Sequence, residues 1–194
     1  MVGSATAPTV IVVMGVSGSG KTTVGRLLAG RRGEPFVEGD GLHPPENIAK
    51  MSAGEALDDE DRAPWLRAVS DVIRSATDSG RGAVISCSAL GYDYRRLFRA
   101  AGPGVWFLYL AVDREVASAR AGRRRGHFMP VALLDSQFAA LEPLRDDEPG
   151  LTVDGTSGTG AIVDVAVAAL AEFASRRAIS AYPRSSGISS KRPG

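Results

Sequence analysis

The stretch VIVVMGVSGSGKT at residues 10–22 decides the fold of this chain. The residues from Thr9 to Met14 are apolar and largely β-branched, without alternation, which is typical of a strand buried on both faces of a parallel sheet. A glycine-rich turn follows at once, and Val24, Leu27 and Leu28 then recur with helical spacing. A strand, a glycine-rich turn and a helix in direct succession predict the first β-α unit of an α/β fold.

The same alternation continues along the chain. Further strands are predicted at residues 35–38, 83–87, 105–110 and 151–153, and further helices around residues 65–76, around 94–98, after Asp113, and at 162–173. We therefore predict a doubly wound, three-layer α/β domain over residues 9–175, with a parallel sheet of about five strands flanked by helices. Residues 1–8 and 176–194 are predicted to be disordered tails, because the second is rich in Arg, Ser, Pro and Gly.

Composition narrows the class of protein. Lys plus Arg number 23 and Asp plus Glu number 22, and this balance argues against a partner such as nucleic acid or a membrane surface. No run approaches the ~18 apolar residues of a membrane span, and the first residues lack the charged and apolar regions of a signal peptide. We therefore expect a cytoplasmic protein. The lone Cys87 excludes an internal disulfide and is expected to be a small buried residue of the third strand.

Residues 15–22 match the phosphate-binding pattern G-x-x-x-x-G-K-[ST] in full, between a strand and a helix. Glycines let the loop wrap around phosphates with its N–H groups pointing inward, and the helix adds its positive end. The alternative is a chance glycine-rich turn. We predict that Lys21 neutralises the β- and γ-phosphates of ATP and that the Thr22 hydroxyl ligates Mg²⁺. The predicted nucleotide-binding residues are Gly15, Val16, Ser17, Gly18, Ser19, Gly20, Lys21, Thr22 and Thr23.

Asp40 follows the second predicted strand. Ligands of open α/β sheets bind beyond the carboxyl ends of the strands, so this carboxylate is expected to face the γ-phosphate. There it could accept the proton of an acceptor hydroxyl or hold magnesium through water. The alternative is a turn aspartate beside Gly41.

Several longer motifs resemble the P-loop gluconokinases from about Val10 to Asp154. They are GDGLHP at residues 39–44, LDDEDRAPWL at 57–66, CSAL at 87–90, GHFM at 126–129 and LLDSQF at 133–138. The resemblance implies transfer of the γ-phosphate of ATP to the 6-hydroxyl of D-gluconate, a fold similar to nucleoside monophosphate and shikimate kinases, and a homodimer. One departure is Gly91, where the family usually has a lysine near the acceptor pocket.

A sugar acid needs a cation for its carboxylate, best a bidentate arginine. Arg62 and Arg95 are the candidates, with His43 and Lys50 as further donors. Each has an alternative: Arg62 as an ion-pair partner on a helix surface, Arg95 as a solvated helix residue, His43 as a turn cap, and Lys50 as a surface residue.

Arg120 and Arg123 to Arg125 lead into the segment GHFMP at residues 126–130. This basic cluster beside a glycine-proline segment resembles the mobile lid of these kinases, which brings arginines to the transferring phosphoryl group. The resemblance favours Arg120 and Arg124 as catalytic residues and His127 as a lid or acceptor contact. The alternative is a basic helix end that interacts with the helix dipole.

Two other functions remain compatible with these residues. One is a kinase for another small anionic acceptor, such as shikimate. The other is a non-catalytic regulatory protein that binds ATP, although such a protein has no need of Asp40 or of lid arginines.

Overall fold

The computed structural model describes residues 8–122 and 131–181. Its strands are β1 (Val10–Met14), β2 (Phe36–Glu38), β3 (Ala83–Ser86), β4 (Val105–Ala111) and β5 (Gly150–Asp154). Its α-helices are α1 (Lys21–Arg32), α2 (Pro45–Ser52), α3 (Asp59–Asp78), α4 (Tyr92–Ala101), α5 (Arg114–Gly122), α6 (Val131–Ala140) and α7 (Thr159–Ala181). A 3₁₀ turn (Gly39–Leu42) lies between β2 and α2.

All strand pairs are parallel, and the strand order is β2-β3-β1-β4-β5. β1 lies at the centre of the sheet. β3 and β2 lie on one side of it, and β4 and β5 lie on the other. The carboxyl ends of β1, β2 and β3 therefore bring the glycine-rich loop, the 3₁₀ turn and residues 87–91 to one edge, where open α/β sheets bind ligands. The predicted five-stranded α/β fold is confirmed.

Both faces of the sheet are buried. Val10, Val12 and Met14 pack against α3 and α4 on one face, while Ile11 and Val13 pack against α1 and α7 on the other. Burial on two faces explains why the β1 sequence is apolar without alternation. Cys87 belongs to the first of these clusters, and complete burial raises the pKa of its thiol, as expected for a packing residue.

The C-terminal boundary of the domain differs from the prediction. Helix α7 continues to Ala181, so residues 176–181 are helical rather than part of a tail. Arg177 anchors these last turns, because its Nη1 donates to the Pro8 carbonyl over 3.1 Å and its guanidinium lies 5.5 Å from the centre of the Phe173 ring. Residues 1–7 and 182–194 lie outside the described part of the chain. Within that part, every helix is too short or too polar to cross a membrane.

Candidate active site

The glycine-rich loop has a backbone that only glycine adopts without strain. Gly15 has φ of 139° and Gly18 has φ of 81°. A Cβ on Gly18 would also collide with the carbonyl oxygen of Ala117 in α5, and one on Gly15 would lie 2.8 Å from the Leu110 carbonyl oxygen. The glycines of the motif are thus required by the path of the loop as well as by its predicted ligand.

Helix α1 begins at Lys21 and presents an uncapped amino end to this loop. Its N-cap is Gly20, no side chain caps the end, and no acidic residue lies in the first turn. The free N–H groups and the helix dipole therefore favour an anion here. Lys21 is buried, and its Nζ donates to the Val16 carbonyl over 3.0 Å, so its ammonium group lies against the same loop.

A cavity of about 250 Å³ adjoins the loop. It is lined by Gly18, Ser19, Gly20, Thr23, Val24, Arg120, Gly155, Ser157, Thr159 and Ile162. The Nη1 of Arg120 donates to the Gly155 carbonyl over 2.8 Å, which fixes this arginine at the mouth of the cavity. A nucleotide bound through the loop would therefore extend between α1 and the start of α7, beside Arg120.

A larger cavity of about 540 Å³ lies elsewhere, between α4 and α7 at the amino-terminal edge of the sheet. None of the predicted site residues that the structure describes lines it. We place the site at the smaller cavity, because the phosphate-binding loop and the carboxyl ends of the strands are there.

Glu38 is a further candidate site residue, and the sequence did not predict it. Its Oε1 accepts a hydrogen bond from the Thr22 hydroxyl over 3.3 Å and another from the Ser86 hydroxyl. Mg²⁺ in kinases is commonly held by one or two oxygen ligands of the protein together with water and substrate phosphates, so a hydroxyl beside a carboxylate suits it. The available signal was the position of Glu38 at the end of β2, two residues before Asp40.

Asp40 lies on the 3₁₀ turn across the edge from the loop. Its side chain is exposed, and its carboxylate makes no hydrogen bond or ion pair with another described residue. The turn itself is fixed, because Trp65 Nε1 donates to the Gly39 carbonyl over 2.8 Å. A Cβ on Gly39 would collide with the Ser86 carbonyl, so the turn packs closely on β3. Asp40 thus lies on a rigid turn, and its exposed carboxylate oxygens can accept hydrogen bonds from a ligand.

His43 stacks on Trp65, with ring centres 4.6 Å apart and an interplanar angle of 7°. Its Nδ1 lies 3.4 Å from the Asn47 amide nitrogen. Burial lowers the pKa of His43, and the nearby Asp40 carboxylate partly opposes this shift. His43 is therefore neutral near pH 7 and could exchange hydrogen bonds with a hydroxylated acceptor.

Lys50 is already paired within the protein. Its Nζ donates to both carboxylate oxygens of Asp61, over 2.6 and 2.8 Å. This hydrogen bond raises the pKa of Lys50 and lowers the pKa of Asp61. Asp61 also forms a capping box with Asp58 at the start of α3. Lys50 therefore stabilises the amino end of α3. Because Asp61 already neutralises its charge, Lys50 is a weaker candidate for binding an anionic ligand than the sequence suggested.

Arg62 keeps part of its binding capacity. Its Nη1 donates to Asp59 over 3.3 Å and to the Tyr94 hydroxyl over 3.2 Å, and Tyr94 in turn donates to Asp59 over 2.8 Å. The predicted alternative, an ion pair on the helix surface, is therefore present. The Nε and Nη2 groups of Arg62 make no hydrogen bond with other described residues, so the guanidinium can still receive a carboxylate.

The prediction for Arg95 was wrong. This side chain is fully buried, and its Nε and Nη2 donate to the equally buried Glu148 over 2.7 and 2.8 Å. Its remaining hydrogen bonds go to the carbonyls of Ala89, Leu90, Glu142 and Pro143. Arg95 has neither exposure nor a donor left for gluconate. It instead fixes the segment after β3 and the segment before β5.

Gly91 is the N-cap of α4, and a Cβ there would lie 3.3 Å from the Tyr94 ring. Tyr94 therefore lies between position 91 and Arg62, since its hydroxyl contacts the Arg62 guanidinium. Arg124 and His127 lie outside the described residues. The structure thus brings Lys21, Thr22, Asp40, His43 and Arg62 to one edge of the sheet and separates Arg95 from them.

Known proteins match this chain along most of its length. The model of the shikimate kinase family matches residues 17–145. A gluconokinase of Gluconobacter oxydans (strain 621H) is 49% identical over 148 residues, covering 76% of this chain and 83% of that protein. A thermosensitive gluconokinase of Escherichia coli (strain K12) is 48% identical over 144 residues, covering 74% and 77%.

Solved structures agree with these matches. A gluconokinase from Sinorhizobium meliloti 1021 superposes with a TM-score of 0.82 at 44% identity, covering 91% of this chain and 99% of that one. A shikimate kinase from Aquifex aeolicus superposes with a TM-score of 0.61 at 16% identity, which establishes a common fold alone.

Proposed function

Because the chain belongs to the shikimate kinase family and, within it, to the gluconokinases, we propose that it transfers the γ-phosphate of ATP to the 6-hydroxyl of D-gluconate. The products are 6-phosphogluconate and ADP. Relatives that are 42–49% identical are gluconokinases, whereas the shikimate kinase of Aquifex aeolicus is 16% identical, so gluconate is favoured over shikimate. A purely regulatory role is likewise not favoured, since the named relatives are enzymes.

One observation carries this proposal. Lys21 and the uncapped end of α1 lie at the carboxyl edge of the sheet, and the same edge carries the Asp40 carboxylate, which pairs with no other residue that the structure describes. This arrangement can place a phosphate donor and a hydroxyl acceptor opposite each other, which is the geometry that in-line transfer requires.

The chain's own groups would act as follows. The loop amides and Lys21 bind the β- and γ-phosphates and neutralise the charge that spreads over the transferring group. Arg120, at the mouth of the nucleotide cavity, and Arg124 add positive charge. Thr22 and Glu38 would hold Mg²⁺, which when bound neutralises phosphate charge and orients the phosphates. The donor set suits Mg²⁺, because a hydroxyl and a carboxylate are both oxygen ligands.

Asp40 orients the 6-hydroxyl and accepts its proton as the new bond to phosphorus forms. Arg62 binds the gluconate carboxylate through the N–H groups that Asp59 and Tyr94 leave open. His43 contacts the hydroxyls, and His127, which lies outside the described residues, is a further candidate for a lid or acceptor contact. Lys50 acts mainly through Asp61 and the start of α3, and Arg95 is not part of the acceptor site.

The resemblance also implies a homodimer, and the composition of the sequence favours a cytoplasmic enzyme; both belong to this proposal. Size-exclusion chromatography with light scattering tests the dimer.

The decisive experiment measures ADP release with a panel of acceptors in the presence of Mg²⁺. The panel contains gluconate, shikimate, adenylylsulfate, nucleoside monophosphates and no acceptor. We expect gluconate to exceed every other acceptor by at least about 10²-fold in kcat/KM. Equal release with all acceptors, or release that needs none, would contradict the proposal.

A further inference from the structure

Gln137 contacts the phosphate-binding loop from helix α6. Its Oε1 accepts a hydrogen bond of 2.7 Å from the Ser17 amide, across 120 positions of sequence. Ser17 lies within the motif GVSGSGKT, whose amides are expected to face phosphate. One amide of the loop is therefore already bound by a protein side chain.

The same peptide group also binds Lys21. The carbonyl of Val16 and the amide of Ser17 belong to one peptide unit, and the Val16 carbonyl accepts from Lys21 Nζ over 3.0 Å. In a planar trans peptide the C=O and N–H bonds point in opposite directions. No peptide bond in the described ranges is cis. Gln137 and Lys21 therefore contact this peptide from its two opposite sides, and a rotation of its plane would disturb both contacts.

Helix α6 is firmly placed for this contact. Leu134, one turn before Gln137, is buried with Val16, Leu90 and Ala117 in one apolar cluster, and Phe138 packs against it. Beyond the helix, the Glu142 amide donates to the Leu90 carbonyl over 3.0 Å. Contacts made by residues before and after Gln137 in the sequence thus hold its side-chain amide against the loop.

We propose that Gln137 is a positioning residue for phosphoryl transfer. It fixes the peptide between Val16 and Ser17, and that peptide in turn directs the Lys21 ammonium towards the β- and γ-phosphates. Gln137 itself touches neither substrate. The inference rests on the proposed nucleotide site, and it assigns to α6 a part in the alignment of Lys21.

The first test compares three variants of the full chain. Gln137→Met keeps the length of the side chain and removes the acceptor, so we expect kcat/KM for ATP to fall about tenfold. Gln137→Glu retains an acceptor for the Ser17 amide and should keep more activity than Gln137→Met. Ser136→Ala is the matched control, because the Ser136 hydroxyl donates to the Leu133 carbonyl within α6 and to no other residue in the described ranges. Its activity should equal that of the parent.

The second test is a double-mutant cycle with Lys21, read out as the dissociation constant of Mg·ATP by calorimetry or by competition with a fluorescent nucleotide. If Gln137 acts through Lys21, Gln137→Met weakens binding about fivefold in the parent and has almost no effect in the Lys21→Met background. A melting temperature close to that of the parent confirms that each variant is folded.

Three outcomes would overturn the proposal. The first is an activity of Gln137→Met within twofold of the parent. The second is an equal loss of activity in Gln137→Met and Gln137→Glu. The third is that the effects of the two substitutions on the dissociation constant add in the double-mutant cycle. The cycle measures nucleotide binding alone, so it remains decisive even if gluconate is not the acceptor. Failure of the acceptor assignment and failure of this inference are therefore distinguishable.

Discussion

The nucleotide half and the acceptor half of the site are built in different ways. Backbone forms most of the nucleotide half: loop amides, the uncapped start of α1 and close approaches that only glycine allows. Side chains form the acceptor half, and nearly every charged one there is paired with another, as in Lys50 with Asp61 and Arg62 with Asp59. A backbone site can be identified from a short motif, whereas a side-chain site depends on which pairs form when the chain folds.

Removing Lys21 tests the nucleotide half most directly. Lys21→Ala should lower kcat/KM by at least about 10³-fold, because this ammonium neutralises charge that develops in the transition state. The side chain contacts the loop rather than the core, so the melting temperature should change little. A coupled assay for ADP on folded protein provides the measurement, and activity within a few-fold of the parent would disprove the role.

Arg95 tests the claim that one predicted acceptor residue is structural. Arg95→Met leaves the buried Glu148 without its partner, and we expect the free energy of unfolding to fall by about 3–5 kcal/mol. Arg96→Met is the matched control, since Arg96 forms an exposed pair with Asp93 and should change stability by less than about 1 kcal/mol. Urea denaturation measures both. Normal stability with loss of gluconate binding in Arg95→Met would return Arg95 to the acceptor site.

Asp40 provides the corresponding test on the acceptor side. Asp40→Asn keeps the shape of the side chain and removes its charge and basicity, so turnover should fall by at least about 10²-fold. Affinity for ATP, measured by calorimetry, should stay within a few-fold of the parent. Unchanged turnover would mean that Asp40 serves only the turn.

Arg62 should affect the choice of acceptor more than the rate of transfer. Arg62→Met removes a charge-assisted contact, so kcat/KM for gluconate should fall about 10- to 100-fold. Sorbitol lacks the carboxylate, and its kcat/KM should hardly change. The ratio of kcat/KM for gluconate to kcat/KM for sorbitol in Gly91→Lys shows whether a cation beside Tyr94 adds to carboxylate binding. A parent enzyme that uses gluconate and sorbitol equally well would show that no carboxylate is recognised.

His43 predicts a small dependence of stability on pH. Its pKa in the folded protein lies below the ordinary value of 6.5, so the unfolded chain takes up the proton first as the pH falls. The stabilising contribution is therefore complete above about pH 6.5 and decreases as the pH falls towards the lower folded pKa. His43→Phe can still stack on Trp65 but cannot take up a proton. The free energy of unfolding that is lost between pH 7.5 and 5.5 should therefore be smaller in this variant than in the parent, by less than about 1 kcal/mol. An equal or larger loss in the variant would contradict this origin.

The sequence predicted those features that depend on local pattern. The buried strands and the strand-loop-helix unit at residues 10–22 were predicted because a parallel sheet demands apolar runs and the loop demands glycine. The short helix α2 was not predicted, because it has only eight residues and only Asn47 among them is buried. The end of α7 was placed too early, since a contact between Arg177 and Pro8 is invisible to composition.

Arg95, Gln137 and Glu38 show what could not be predicted from local sequence patterns. Arg62 and Arg95 were both candidates for the acceptor carboxylate, and only folding decides that Arg95 is enclosed with Glu148 across 53 positions of sequence. Gln137 contacts Ser17 across a still longer separation, and no local pattern predicts such a contact. Glu38 lies two residues before the predicted Asp40, but its assignment to the candidate site depends on the neighbouring Thr22 and Ser86 hydroxyls.

Trp65 gives the acceptor half an optical signal of its own. Its indole ring donates to the Gly39 carbonyl and stacks on His43, directly beneath the turn that carries Asp40. The other tryptophan of the chain, Trp106, is buried in β4 on the opposite face of the sheet. Tryptophan emission responds to the charge and polarity of groups in contact with the ring. An acceptor arriving at Asp40 would therefore change the fluorescence of Trp65 and leave that of Trp106 unaltered, so occupancy of this half can be followed in the unlabelled protein.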